Sequence, residues 1–160
     1  MDTRLVFHPF DPIANEQSHT LILGTMPSGR SREEKFYYAH PRNRFWSVIA
    51  ESFDCPLPKD AEGKTNLLLA NGIALWDVLN SCEISGAEDA SIRGQKYKNI
   101  AGFIGEKPIR KILCNGNKAF AFCGKLKLPV PVICLPSTSP ANAAWSLERL
   151  VAVWKPELNR

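Results

Sequence analysis

The densest group of chemically capable side chains in this 160-residue chain lies between Tyr37 and Trp46, in the segment YYAHPRNRFW. Its tyrosines offer flat rings, and His40 can give or take a proton near neutral pH. Asn43 carries both a donor and an acceptor, so it can orient a water molecule or bind the edge of a base. Arg42 and Arg44 can hold phosphates, or one of them can cover a neighbouring ring. Together these side chains suit a ligand that combines a planar ring with a phosphate backbone.

The same residues have simpler structural explanations, which the segment alone leaves open. Asn43 can cap the helix that follows it, and the two aromatic residues after Arg44 suit the apolar face of that helix. Arg42 and Arg44 can also belong to a solvated loop, because five cationic side chains and two glutamates occur between Arg30 and Arg44.

A turn rich in glycine and proline, GTMPSG at residues 24–29, ends the apolar run before it. Its glycine lets the backbone approach a ligand closely and its proline fixes its own φ, so exposed N–H groups can bind an oxygen of a base or a phosphate. A turn that merely ends a strand would look the same. Because the turn matches neither GxGxxG nor GK[ST], a nucleotide cofactor is not expected. The candidate base-binding residues here are Gly24, Thr25, Met26, Pro27 and Ser28.

Two further turns follow predicted strands and carry polar side chains. In LCNGNKAF, residues 113–120, Asn115 can pair with the Watson–Crick edge of a base, or it can simply form the turn. In PSTSPAN, residues 136–142, small hydroxyls before a helix can bind phosphates, although a helix cap with a proline start is the ordinary explanation. The candidate phosphate-binding residues of this second turn are Ser137, Thr138, Ser139, Pro140 and Asn142.

Other catalytic arrangements find little support. No GxSxG elbow marks a serine nucleophile, and three widely separated histidines do not suggest a zinc site. Asp77, near a strand end, and Asp89, in a polar stretch, could each stabilise a cationic transition state, but the sequence identifies no partner for either. The five cysteines form no CxxC pair. We expect free cysteines that act as small hydrophobes, with metal or iron–sulfur ligation as the alternative.

The elements that must position these turns alternate in type along the chain. Strands are predicted at 20–24, 73–78, 110–114 and 130–135, helices after residue 43 and at 64–70, 100–104, 117–126 and 141–154, and a long loop at 80–96. The alternation predicts one α/β domain over residues 1–160, a three-layer α/β/α sandwich with a central four-stranded parallel sheet. The candidate turns then meet at the carboxyl edge of that sheet, where open α/β sheets bind ligands.

The composition is that of a soluble globular protein, with 44% hydrophobic and 22% charged residues. A net charge of +4 permits a polyanionic partner, but an ordinary basic protein fits equally well. No apolar run approaches the ~20 residues that a membrane span needs, and the first residues lack the apolar region of a signal peptide. We therefore expect a cytoplasmic protein with no membrane partner.

With these motifs in this order, the chain resembles the uracil-DNA glycosylase superfamily, and within it the hypoxanthine-DNA glycosylase branch. GTMPS and LPSTSPANA are similar to the family's two motifs, the second being the loop that enters the minor groove. YAHPRNRFW is similar to a run in the mismatch-specific uracil/thymine glycosylases, and LCNG to their Phe-Asn-Gly strand end. One departure is clear, because Met26 stands where the mismatch-specific enzymes have a polar residue that holds the attacking water. The aspartate of the usual uracil enzymes is missing from this region too.

The resemblance implies a monofunctional DNA glycosylase of base excision repair that extrudes a deaminated base and hydrolyses its N-glycosidic bond. Hypoxanthine is the expected base and uracil the alternative. By resemblance, Asn43 takes the catalytic role and Tyr38 stacks on the extruded base. The candidate donors to the departing base are backbone N–H groups, His40 and Asn115. No lysine stands out as a nucleophile, so no strand cleavage is expected. The expected partner is DNA, the expected state is a monomer, and neither a metal nor a cofactor is required.

Two other functions stay open at this point. A DNA-lesion binder that lost its water-holding residue at Met26 would bind inosine DNA without releasing a base. A flavodoxin-like protein with a small-molecule ligand would share the fold, although the chain lacks a phosphate-loop glycine pattern.

Overall fold

The computed structural model describes residues 3–85 and 92–159, which form two sheets and six helices. In chain order the strands are β1 (Thr3–Phe7), β2 (Thr20–Gly24), β3 (Ile73–Asp77), β4 (Leu79–Ser85), β5 (Arg93–Tyr97), β6 (Lys111–Asn115) and β7 (Val132–Leu135). The helices are α1 (Gly29–Glu34), α2 (Phe45–Ser52), α3 (Ala61–Ala70), α4 (Ile100–Gly105), α5 (Asn117–Gly124) and α6 (Leu147–Leu158).

The central sheet has four parallel strands in the order β3-β2-β6-β7, as the sequence predicted. All five residues of β2 are buried, because the strand lies inside the sheet with helices on both faces. Leu21 and Leu23 face the layer that contains α4 and α5. Ile22 faces the layer formed by α2, α3 and α6. The three-layer α/β/α sandwich is therefore confirmed.

A second, antiparallel sheet of order β1-β4-β5 was not predicted. It corrects the expectation of a long loop over residues 80–96, since β4 and β5 occupy most of that stretch. Val6 of β1 packs with Cys82 and Ile84 of β4 on the side of α4 and α5. Polar residues separate these apolar positions, so the sequence did not indicate that β4 is a strand. Its partner β1 also lies far away in the chain. Residues 86–91, and with them Asp89, lie outside the described residues.

The closing helix begins later than the predicted 141–154, because Ser146 caps it by accepting the backbone N–H of Arg149 at 3.2 Å. Residues 141–146 instead form turns next to the preceding loop. The helix after residue 60 begins three residues earlier than predicted, since Asp60 accepts the N–H of Gly63 at 2.8 Å. The strands predicted at 110–114 and 130–135 are displaced by one or two residues.

Within the described ranges, no helix has both the length and the apolar character that a membrane crossing requires. Cys82, Cys114 and Cys123 are buried in the apolar layer beside α4 and α5, and all five cysteines are free.

Candidate active site

The turns at the carboxyl edge of the central sheet enclose a cavity of about 190 Å³. Thirteen of the fifteen predicted site residues line it, joined by three that the prediction left out, Ser31, Tyr37 and Asp77. The predicted residues on its wall are Gly24, Thr25, Met26, Pro27, Ser28, Tyr38, His40, Asn43, Asn115, Ser137, Thr138, Ser139 and Pro140.

The other two predicted residues lie outside this cavity. Asn142 lines a neighbouring cavity of about 580 Å³, which shares the walls at Thr25, Asn115, Ser137 and Ser139 with the first. Arg42 is exposed and lines neither cavity.

Gly24 forms the floor of the smaller cavity, and it has to be a glycine. A Cβ atom there would lie 2.4 Å from Oδ1 of Asp77 and 2.7 Å from Oη of Tyr38. Both distances are shorter than real Cβ contacts, so any side chain at this position displaces two polar groups of the cavity. The sequence predicted that Gly24 lets a ligand come close to the backbone. In the structure, the missing Cβ atom makes room for the side chains of Asp77 and Tyr38.

The rest of the turn is fixed by α1 and its cap. Ser28 caps α1 by accepting the backbone N–H of Ser31 at 3.2 Å. Arg32 donates from Nη1 to the carbonyl of Pro27 at 2.6 Å. Met26 is buried against the layer beside α4 and α5, so the turn offers no side-chain oxygen for a water at that position.

Tyr38 has a left-handed backbone conformation, with φ of 51°. Such a conformation is uncommon for an aromatic residue and is often associated with functional sites. Its ring stacks on Phe45 with centroids 4.1 Å apart and planes 20° apart. Since Phe45 is fully buried, it backs the tyrosine ring rigidly where that ring lines the cavity.

Thr138 joins the two amide side chains of the cavity in one hydrogen-bond network. Its backbone N–H donates to Oδ1 of Asn115, and Nδ2 of Asn115 donates back to the threonine hydroxyl, both at 3.0 Å. The hydroxyl donates in turn to Oδ1 of Asn43 at 2.8 Å. Asn115 therefore has its oxygen and one amide hydrogen engaged by Thr138, which leaves little of its amide for a base.

The orientation of the Asn43 amide follows from its two donors. Its Oδ1 accepts the backbone N–H of Phe45 at 2.9 Å as well as the Thr138 hydroxyl. A carbonyl oxygen has two lone pairs, so both are occupied and the amide presents Nδ2 as a donor. Asn43 is not the N-cap of α2, which is Arg44, but it lies one residue earlier and binds the N–H of the first helical residue. The same side chain also lines the cavity.

Arg44 holds the loop that follows β7. Its guanidinium donates to the carbonyls of Ser139 and Asn142, both at 3.0 Å, and also to the carbonyl of Trp145. The sequence offered Arg44 as a phosphate ligand or a loop residue, whereas the structure uses its planar fork to bind three backbone oxygens.

His40 also lines the cavity. The backbone N–H of Arg42 donates to its Nδ1 at 3.1 Å. A neutral imidazole that accepts at Nδ1 carries its proton on Nε2, so His40 is a donor from that atom.

Among the described residues that line the cavity, Asp77 is the acidic one. Its carboxyl group has a partner that the sequence did not reveal. Its Oδ2 lies 2.8 Å from Nε2 of His8, and the two side chains are 5% and 0% exposed. The two residues are 69 positions apart, and the connection depends on how β1 and the residues after it run past the end of β3. No local pattern around His8 could have indicated it.

Two further titratable groups lie near Asp77. Burial raises the pKa of Tyr37, with the negative charge of Asp77 as a second cause, and the phenol donates to the carbonyl of Asp11 at 2.9 Å. Burial lowers the pKa of Lys98 to about 7, and Asp77 opposes that shift. The Lys98 ammonium lies 4.5 Å from the centre of the Trp76 ring, away from the cavity wall.

The cavity therefore combines a rigid aromatic ring, an acceptor at Asp77 and donors at Asn43 and His40. In the part of the chain that the structure describes, no group of three or more His, Cys, Asp or Glu side chains could hold a metal ion. The arrangement can hold a planar ring whose edge carries both a donor and an acceptor.

The fold and the cavity define a three-layer α/β protein with a cavity at the carboxyl edge of its sheet that has room for a planar ligand. The chain belongs to the uracil DNA glycosylase superfamily, whose family model matches residues 12–156. It is 32% identical over 143 residues to a hypoxanthine DNA glycosylase of Methanosarcina acetivorans, covering 88% of this chain and 90% of that protein.

Two other proteins extend the comparison. A hypoxanthine DNA glycosylase of Methanosarcina barkeri is 30% identical over 112 residues, which cover 69% of this chain and 71% of that protein. The solution NMR structure of a candidate uracil DNA glycosylase from Methanosarcina acetivorans superposes with a TM-score of 0.85 at 28% identity, covering 98% of each chain.

Proposed function

We propose that this chain is a monofunctional DNA glycosylase that extrudes a deaminated base, preferably hypoxanthine, and hydrolyses its N-glycosidic bond. The observation that carries the proposal is the cavity that Asn43, Thr138 and Asn115 close beside Tyr38 and Asp77. At about 190 Å³ it is smaller than the ~300 Å³ at which pockets for drug-sized ligands begin. Such a cavity suits one planar ring system, as the substrates of the named relatives require.

Extrusion of the base from the duplex is the first step of the proposed reaction. Unstacking costs a few kcal/mol. A base stacked on an aromatic ring recovers about 1–3 kcal/mol, so Tyr38 backed by Phe45 can offset much of that cost. Because every base has a flat face, this stack does not select among bases.

Selection in the proposed site comes from Asp77. Hypoxanthine and uracil both carry a lactam N–H beside a keto oxygen, and the carboxylate can accept that N–H. Adenine offers a lone pair at the corresponding ring nitrogen, which would leave two acceptors facing each other. A site built to bond an N–H rejects an analogue that lacks it by up to about 10⁴–10⁵. Uracil is the second candidate base, because its lactam edge meets the same requirement.

Hydrolysis then separates charge between the sugar and the departing base. The base gains negative charge, which the Nε2–H of His40 can stabilise by donating to it. The sugar gains positive charge, and the DNA phosphates lie close enough to it to help. Asn43 donates from Nδ2 to the oxygen of the attacking water and so directs another lone pair of that oxygen at the sugar carbon. As the C–N bond breaks, the water oxygen bonds to the sugar carbon, and the proton that the water loses ends on the departed base. Such positioning supplies a large part of catalysis when the leaving group is already stabilised.

The surrounding DNA would lie along the loop of residues 136–146. Arg44 keeps this loop in place, and the hydroxyls of Ser137 and Ser139 lie along its path. The neighbouring cavity of about 580 Å³ gives room for the nucleotide next to the extruded one. The exposed Arg42 is available to a phosphate. Because one chain supplies every wall of the cavity, we propose a monomer, acting on DNA in the cytoplasm.

The test is single-turnover release of free base from duplexes that differ only in one hypoxanthine, uracil or adenine. Wild type should release hypoxanthine fastest, and Asn43→Ala should lose at least about 100-fold in rate with unchanged DNA binding. Asn99→Ala, which removes the cap of α4 at a residue that does not line the cavity, is the control variant. If wild type binds inosine DNA but releases no base, the chain is a lesion binder and the proposal is wrong. If the Asn43→Ala variant keeps its rate, the catalytic assignment is wrong.

A further inference from the structure

A histidine from outside the central sheet stands directly behind the base-binding carboxylate. His8 follows β1, and its imidazole is buried against Phe10 and Tyr37, with ring centroids 5.4 and 6.0 Å away. Its Nε2 lies 2.8 Å from Oδ2 of Asp77, and its Nδ1 lies 3.1 Å from the carbonyl of Phe10. The imidazole does not line the cavity, so it can act on a base only through Asp77.

We propose that His8 is a positioning residue that keeps Oδ1 of Asp77 a hydrogen-bond acceptor and thereby makes the cavity selective for bases with a lactam N–H. This inference rests on the proposed function and deepens it. Nothing in the family's motifs as read from the sequence assigns a role to this histidine.

The hydrogen-bond chemistry of the pair supports this role whichever atom holds the shared proton. If Nε2 of His8 carries it, Asp77 is a carboxylate and Oδ1 has only lone pairs to offer. If Oδ2 carries it, the proton is engaged by the imidazole and Oδ1 is the carbonyl oxygen of the acid. In both cases Oδ1 accepts and cannot donate.

Oδ1 of Asp77 lies where the edge of a bound base would contact it. A Cβ atom at Gly24 would lie 2.4 Å from Oδ1 and 2.7 Å from Oη of Tyr38, so both oxygens converge over the cavity floor. Among the described residues, His8 is the hydrogen-bond partner of the Asp77 carboxyl group. Lys98 is the other charged group near Asp77, but its buried Nζ forms no hydrogen bond with the described residues.

Loss of His8 would change what the carboxyl group can recognise. Without His8, no described hydrogen-bond partner fixes which of the two carboxyl oxygens a proton would occupy. With the proton on Oδ1, Asp77 becomes a donor that matches the ring lone pair of adenine. The expected result is a loss of discrimination rather than a uniform loss of rate.

The test compares variants of His8 by their ratio of single-turnover rates on inosine and adenosine, each placed opposite cytosine in the same duplex. His8→Phe keeps the aromatic packing but removes the hydrogen bond, and should lower the ratio at least about 10-fold. His8→Gln keeps a donor at the distance of Nε2, and should stay within about 3-fold of wild type. Phe10→Leu, which alters the packing alone, is the control.

His8→Asn is the second variant should His8→Phe fold poorly, since its shorter amide does not reach Asp77. An unchanged ratio in folded His8→Phe and His8→Asn, with both rates reduced equally, would overturn the inference while leaving the proposed function intact. Failure of wild type to release hypoxanthine would overturn the proposed function, and this inference with it.

Discussion

The hydroxyl of Thr138 donates a 2.8 Å hydrogen bond to Oδ1 of Asn43, a residue 95 positions earlier in the chain. Thr138 is fully buried, and its backbone N–H and hydroxyl also engage Asn115. One threonine therefore ties together the end of β6, the loop after β7 and the segment before α2. The amide that Asn43 presents to the cavity has its direction set by this contact.

Thr138→Val removes the hydroxyl while keeping the shape of the side chain. It leaves Nδ2 of Asn115 without its acceptor and Oδ1 of Asn43 without one of its donors, so we expect a loss of about 1–3 kcal/mol in the free energy of unfolding. The excision rate should fall about 10- to 100-fold, because the Asn43 amide is free to turn. Denaturant unfolding and single-turnover assays measure the two effects. Thr138→Ser keeps the hydroxyl and should retain most of the stability and most of the excision rate. If Thr138→Val and Thr138→Ser behaved alike, the hydroxyl of Thr138 would have no role in the site.

Gly24→Ala tests the packing of the cavity floor. Its methyl group would press on the carboxylate of Asp77 and the phenol of Tyr38, so we expect a cost of about 1–3 kcal/mol in stability and a marked loss of hypoxanthine release. Gly29→Ala lies in the same turn, but its nearest neighbour would be 3.8 Å away, an ordinary contact. That variant should behave as wild type in both assays. Similar losses in both would mean that the turn, and not its contact with Asp77, is what matters.

Arg44→Lys should loosen the loop of residues 136–146, because an ammonium cannot bind three carbonyls in the plane of a guanidinium. We expect lower thermal stability together with slower excision. Arg42→Ala is the matched change at an exposed arginine two positions away. It should leave stability unchanged and reduce the dependence of DNA affinity on salt by about one unit in the logarithmic slope. Should Arg42→Ala also destabilise the fold, the two arginines would not have separate roles.

Lys98→Met should stabilise the protein in a manner that depends on pH. Burial holds the pKa of Lys98 at about 7 in the folded state, below its value in the unfolded chain. Between these values the unfolded chain binds more protons, so the stability of wild type rises with pH across this range. The variant should therefore gain on the order of a few kcal/mol below pH ~7, and the gain should shrink toward pH ~10. Unfolding of Lys98→Met and of the exposed control Lys96→Met at several pH values measures this, and a gain independent of pH would contradict it.

The sequence predicted the central sheet well because its strands are apolar runs, and β2, β3 and β6 are buried over most of their length. It also placed most cavity residues correctly, since parallel strands bring their carboxyl ends to one edge. It could not predict β4 and β5, whose residues are polar on one face and depend on pairing with β1. The contact of His8 with Asp77 was equally invisible, because it joins two elements that no local periodicity connects. The roles of Arg44 and Asn115 required the positions of backbone oxygens and of Thr138, which only a folded chain supplies.

In the proposed mechanism, the groups that recognise the base and those that position the attacking water come from different parts of the chain. Gly24, Asp77 and His8 belong to the ends of β1, β2 and β3, whereas Asn43 and Thr138 belong to loops held by Arg44 on the other side of the cavity. Under this assignment, a substitution at His8 changes which lesion is accepted and leaves the hydrolytic groups in place, whereas one at Gly24 also costs activity. A scaffold divided in this way could diversify its repertoire of damaged bases while its chemistry stays the same.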